Sequence, residues 1–216
     1  MRNESIEKIL NVIAIGTIIV LPHAELIPFF GYCIPILFIT CFALKYSKEN
    51  FSDIGFSFKQ FNPKSILIGG LVAALTLAFM QLVFHPVLEF FVNLEYKDVG
   101  LSDTIQGGKL QFLLMIIMGW LIGGFYEEIV FHGFIFTRLE KMIKGKFAAY
   151  ISFVITSFAF GIYHIQLGAL GLINALLVGA VYLTLFLYFK RNLWYSIMCH
   201  GFYNTMVMTL IYFDYI

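Results

Sequence analysis

Long apolar runs, separated by short polar or basic clusters, dominate this chain. A membrane-crossing helix needs about 20 mostly apolar residues. Seven stretches approach that length: 6–22, 26–44, 65–85, 110–137, 147–166, 168–189 and 193–213. An open strand would leave its backbone groups unpaired in lipid. The pattern therefore predicts an all-α fold, a polytopic transmembrane bundle of seven helices. An eighth helix fits within 86–105, lying on the outer surface. With no internal repeat, low-complexity tract or long linker, residues 1–216 read as a single integral membrane domain.

The fourth stretch is too long for one straight span. From Leu110 to Thr137 it would extend ~42 Å at helical rise, against a hydrocarbon core of ~30 Å. Gly123 and Gly124 lie in its middle, where a tilt or break is expected. Gly119 and Gly123 also form a G-x-x-x-G step, which suits close helix packing.

The charges support this map. With the ends of the spans assigned alternately to the two sides, all of the 14 Lys and Arg except Lys97 and Lys109 fall on one side. The opposite segment 86–109 carries Glu89, Glu95, Asp98 and Asp103. By the positive-inside rule this predicts a cytoplasmic N-terminus and a C-terminus outside.

Composition narrows the class further. Among the 216 residues 60% are hydrophobic and 12% charged, whereas a soluble domain carries about 25% charged residues. Mean hydropathy is +0.87. These values exclude a soluble enzyme and a disordered chain. A net charge of +1 leaves no excess to hold a phosphate backbone, so no nucleic acid partner is expected. Cys33, Cys41 and Cys199 lie in apolar stretches and read as packing residues rather than a disulfide framework. The N-terminal residues mix Arg2 and Lys8 with Glu4 and Glu7, and no small-residue cleavage site follows the first apolar run. That run reads as a membrane helix, not a signal peptide.

Ionisable groups inside the spans are the informative residues, because a charge near the bilayer centre costs at least ~2.5–3.5 kcal/mol. Glu127 and Glu128 stand in Phe125-Tyr126-Glu127-Glu128-Ile129-Val130-Phe131-His132. Adjacent helical positions diverge by about 100°, so one carboxylate can face a cavity while the other holds a neighbour. Glu128 and His132 are four apart and share a face, as a supporting pair would. His164 follows in Phe160-Gly161-Ile162-Tyr163-His164, and His200 and Asn204 share a face of the last span. Taken singly, each of these could be an interhelical polar clamp. Together they place Glu, His, His and Asn on three helices. Glu and His can activate a water as general base, and a second His with an Asn can stabilise an oxyanion. The trio Glu127, His164 and His200 could instead hold Zn²⁺ with an open fourth position, although no H-E-x-x-H motif is present. His23 with Glu25, and His85 with Glu89, read as water-facing interfacial pairs.

One geometric tension accompanies this set. Counting inward from the basic ends at ~1.5 Å per residue puts Glu127 and Asn204 ~16 Å deep, His200 ~10 Å and His164 ~25 Å.

These motifs resemble the CAAX protease and bacteriocin-processing family (CPBP, or Abi) of intramembrane peptidases. That family's signature is E-E-x-x-x-R, then F-x-x-x-H, then H-x-x-x-N, on successive membrane helices. The matching runs are Glu127 to His132, Phe160 to His164 and His200 to Asn204, and the resemblance covers about residues 110–206. It implies that Glu127 activates the hydrolytic water with help from His164, that His200 and Asn204 stabilise the oxyanion, and that Glu128 supports them. It implies a peptide or protein substrate at the membrane: a prenylated C-terminus, a bacteriocin precursor or a signalling peptide. No obligatory cofactor is expected, with zinc the alternative. The chain departs from the pattern at His132, which stands where the family has Arg. Arg is always charged and His can be neutral. An Ile-, Phe- and Lys-rich composition points to an AT-rich bacterium, hence a bacterial cell membrane and peptide maturation or self-immunity. Two other readings compete. One is a non-catalytic immunity or scaffold protein of the same fold; the other is a small transporter, which the absence of inverted repeats disfavours.

Overall fold

The computed structural model describes residues 4–24, 26–27, 31–92, 94, 97 and 99–216. Arg2, Glu25, Glu95 and Asp98, which entered the charge map and the interfacial pairs above, lie outside the described residues. The protein is 82% helical, with no strand among the described residues. Helix α1 (Glu4–Val20) leads through a 3₁₀ turn to α2 (Cys33–Tyr46). Two 3₁₀ turns, Phe51–Ile54 and Phe58–Gln60, precede α3 (Lys64–Phe79). A π turn at Met80–Phe84 joins α3 to α4 (His85–Phe91), and the short α5 spans Leu101–Gln106. Helix α6 (Lys109–Met118) runs through a π-helical segment, Gly119–Ile135, into α7 (Phe136–Met142). The last three helices are α8 (Ala148–Tyr163), α9 (Gly168–Tyr188) and α10 (Leu193–Tyr212).

Four continuous rods are long and apolar enough to cross a membrane: Glu4–His23, Lys64–Phe91, Lys109–Met142 and Ile165–Tyr188. Helices α2 and α8 are shorter apolar helices. Helix α10 has the length, but Ser196, His200, Asn204 and its tyrosines make it more polar. The outer surface is apolar: Leu67 and Leu82 are each 76% exposed and Phe90 83%. Lipid, not water, suits such a surface.

The fourth predicted stretch is neither broken nor confined to 110–137. It forms one continuous rod from Lys109 to Met142, and its middle widens to i→i+5 hydrogen bonding. Such π geometry is rare and gathers at functional sites. The surface helix expected in 86–105 is instead two pieces: α4 extends α3, and α5 stands apart, with Ile105 fully buried. The helix expected over 26–44 starts only at Cys33.

Helix α10 lies at the centre, with α3 on one side and the π segment on the other. Small residues make this possible. A Cβ on Gly69 of α3 would stand 2.6 Å from Met198 Cβ and 2.8 Å from the Cys199 backbone nitrogen. Only hydrogen at that position lets the two backbones approach so closely. The start of α10 is itself buried: Leu193 is fully covered, and its N–H donates to the Gly55 carbonyl (3.0 Å) in the connection below.

Candidate active site

The π segment is the most enclosed part of the rod, with an unbroken buried run from Tyr126 to Ile135. Glu127 and Glu128 therefore sit inside protein, not in lipid. They diverge as their adjacent positions require. Glu128 is fully buried and bridges two imidazoles: Oε2 accepts from His132 Nδ1 (2.7 Å) and Oε1 from His200 Nδ1 (2.8 Å). His132 thus pairs with Glu128, as their spacing of four allows. Its Nε2 is buried and without a hydrogen-bond partner among the described residues.

Glu127 points the other way. Its Oε2 is buried without a hydrogen-bond partner among the described residues and lies 3.8 Å from both His164 Nε2 and His200 Nε2. That separation is too long for a direct hydrogen bond, and it is the spacing over which one small group can bridge. His164 caps the end of α8, where its Nδ1 donates to the Phe160 carbonyl (2.9 Å). A carbonyl only accepts, so the proton is on Nδ1, and Nε2 of the neutral ring presents a lone pair toward Glu127. The Glu128 carboxylate holds a proton on His200 Nδ1 in the same way. Tyr182 lies almost flat on the His200 ring (4.4 Å, 21°).

Asn204 completes the group one turn further along α10. One amide N–H is held by the Gly119 carbonyl (3.3 Å), and the side chain also lines the adjoining cavity. Space for it comes from Gly123, where a Cβ would lie 2.3 Å from Asn204 Nδ2 and 2.9 Å from His200 Nε2. The G-x-x-x-G step thus does more than pack helices: it seats the polar groups of α10.

All six residues singled out in the sequence come together here, which resolves the depth tension. The fourth rod ends at Met142, not Thr137, so Glu127 lies about 22 Å from that end, close to the ~24 Å of α8. The buried start of α10 brings His200 to the same level.

A cavity of about 510 Å³ opens beside the cluster and reaches His164, His200 and Asn204. Other polar residues on it, among them His85, Gln81, Asn174 and Glu89, are not marked by the sequence motifs. His85 lines this cavity with Gln81 and pairs through Nε2 with Asn174 Oδ1 (2.9 Å). Asn174 carries a signal of its own, being an amide in the middle of the otherwise apolar α9. Glu89 is exposed and lies on the same cavity. His23 stays apart, its ring edge-on to Tyr163.

Fold and site together define a helical membrane protein with a buried carboxylate–imidazole centre beside a cavity. Residues 109–206 match the family model described as Rce1-like, type II CAAX prenyl endopeptidase Rce1-like. That segment is thus similar to the CAAX protease and bacteriocin-processing family that its motifs resemble, and the long apolar rods together with this similarity to a membrane endopeptidase family support an integral membrane protein. No curated protein and no solved structure matches the chain.

Proposed function

We propose that the protein is an intramembrane endopeptidase that hydrolyses a peptide bond of a membrane-associated protein or peptide. The observation that carries this reading is the unpartnered Glu127 Oε2, set 3.8 Å from two imidazole Nε2 atoms beside an open cavity. A water bridging Glu127 Oε2 and His164 Nε2 donates to both. As it attacks the scissile carbonyl, its proton passes to Glu127 and then to the leaving amine. The oxyanion forms against the second N–H of Asn204 and against His200. His200 donates from Nε2 as an imidazolium, with Glu128 as its counter-ion and His132 holding the other Glu128 oxygen. The match of residues 109–206 to the family model supports this assignment, and so does the closed hydrogen-bond chain His132–Glu128–His200, which provides for the position where the family has Arg. That chain also weighs against the non-catalytic alternative.

No metal step is needed. Glu127, His164 and His200 would be the ligands of a zinc ion, which would polarise the carbonyl or the water, and both rings have their Nδ1 held as zinc ligands usually do. The spacing does not fit as it stands. Among the described residues no His/Cys/Asp/Glu trio has metal-holding geometry, and 3.8 Å exceeds the about 3.3 Å between ligands of a tetrahedral zinc.

The substrate is a peptide at the membrane. Peptide maturation or self-immunity in a bacterial cell membrane, with a cytoplasmic N-terminus, is the setting that composition and charge support. The test is cleavage of a peptide library by the detergent-solubilised protein, wild type beside Glu127→Gln, with and without chelator. The expected result is cleavage by the wild type that survives chelation and falls about 100- to 10,000-fold in the variant. Equal cleavage by both proteins would remove Glu127 from the chemistry, and loss on chelation would replace the metal-free step.

A further inference from the structure

A second polar cavity, of about 410 Å³, lies between the start of α1 and the end of α7, apart from the site above. It is lined by four cations, Lys8, Arg138, Lys141 and Lys144, and by Asn11, Glu4 and Glu7. Arg138 is fully buried. Its Nη2 pairs with Glu49, but Nε and Nη1 have no hydrogen-bond partner among the described residues. Glu49 also accepts from Lys141 Nζ (2.7 Å), so one carboxylate serves two cations. Lys8 and Lys144 are exposed and form no ion pair among the described residues. Buried charge of this kind is costly unless it is compensated. Among the described residues, four cations against Glu4, Glu7 and Glu49 leave one positive charge over.

We propose that this cavity binds the headgroup of an anionic phospholipid: a phosphodiester with free hydroxyls, as in phosphatidylglycerol. A phosphodiester carries the single negative charge the cavity lacks, and guanidinium with ammonium groups is the usual donor set for it. Asn11 Oδ1, buried and without a donor among the described residues, accepts from a headgroup hydroxyl. The alternative source of the same chemistry is free inorganic phosphate. The surroundings favour lipid. Directly beyond Lys8, α1 exposes Ile9, Val12 and Ile13, each at nearly 60%, and these offer an apolar track for acyl chains. Basic pockets between membrane helices at the Lys/Arg-rich side are where anionic headgroups bind.

The test uses the full chain in detergent, with lipid binding read by native mass spectrometry and by thermal stabilisation. Three probes are added separately: phosphatidylglycerol, phosphatidylcholine and inorganic phosphate. Phosphatidylglycerol is expected to bind and raise Tm, and phosphatidylcholine to do neither. The double variant Lys8→Gln/Lys144→Gln alters only exposed side chains and so keeps the fold. It should bind phosphatidylglycerol about 25-fold more weakly, about fivefold for each lysine near a charged headgroup. Arg138→Gln should abolish binding, with its fold checked by helical circular dichroism. Equal binding of the two lipids, or wild-type affinity in the lysine variant, would overturn the proposal. Inorganic phosphate that displaces the lipid and gives the full stabilisation alone would reassign the site to the free anion.

Discussion

Adding one methyl group at Gly123 should disable the site without unfolding the protein. The new Cβ would lie 2.3 Å from Asn204 Nδ2, 2.9 Å from His200 Nε2 and 3.4 Å from His200 Cδ2. Ordinary contact starts near 3.4 Å, so the Asn204 amide must retreat by about 1 Å. That breaks its bond to the Gly119 carbonyl, worth about 0.5–1.5 kcal/mol, and overpacking adds about 1–3 kcal/mol. His200 is pinned by Glu128 from behind and can yield only by loosening that bond. Losing one oxyanion donor costs about 100- to 1,000-fold in kcat, and a 1 Å misplacement costs a similar factor. Gly124→Ala is the control one residue away. Its Cβ would meet nothing closer than 3.5 Å, an ordinary contact with the Ile197 carbonyl. The assay is kcat for the best library peptide, with Tm measured on both variants. Gly123→Ala should lose at least about 100-fold in kcat, and Gly124→Ala should stay within about threefold. Equal activities in the two variants would show that the fit of Asn204 and His200 against the π segment has no part in turnover.

Glu128→Gln leaves the fold in place but offers His132 and His200 an amide where each now has a carboxylate oxygen; kcat should fall about 100-fold with little change in KM, and an unchanged kcat would separate Glu128 from the reaction. His132→Ala removes the group holding Glu128 Oε2 and should lower kcat, whereas His132→Arg restores the family's residue and should retain more activity than the alanine variant; the reverse order in a side-by-side kcat comparison would refute a positioning role. Glu49→Ala leaves the buried Arg138 guanidinium with no partner among the described residues and should destabilise the protein by roughly 3 kcal/mol, read as a lower Tm, since stranding a buried charge is among the costliest single changes.

The two least lipid-compatible features of the sequence proved the most informative. Adjacent carboxylates in an apolar helix admit few explanations, and neighbouring helical side chains must diverge, so the two acids take separate directions by their positions alone. The spacing of His132 and Glu128 likewise pairs them, and the 2.7 Å contact is that pair. Helix ends were less legible. Apolar residues continue through and beyond turns in a membrane protein, so hydropathy does not mark where the rod at Met142 stops or how deeply Leu193 starts. The part His85 plays in the cavity was illegible for a related reason: near a span's end, sequence cannot distinguish a side chain facing headgroups from one turned into a cavity.

The sequence by itself determined the helical class, the apolar exterior and the identity of the six polar residues at the centre. These follow from local rules: backbone groups in lipid must pair within the helix, and a charge there must have a reason. Only the tertiary structure decided that Glu128 faces two imidazoles while Glu127 is left with an open oxygen. It also decided that Gly123 makes room for Asn204, and that Arg138 is buried with two nitrogens unpaired among the described residues. Those outcomes depend on how α10 is set between α3 and the π segment and on how α1 meets α7. Contacts between residues far apart in the chain leave no periodicity in the sequence from which to read them.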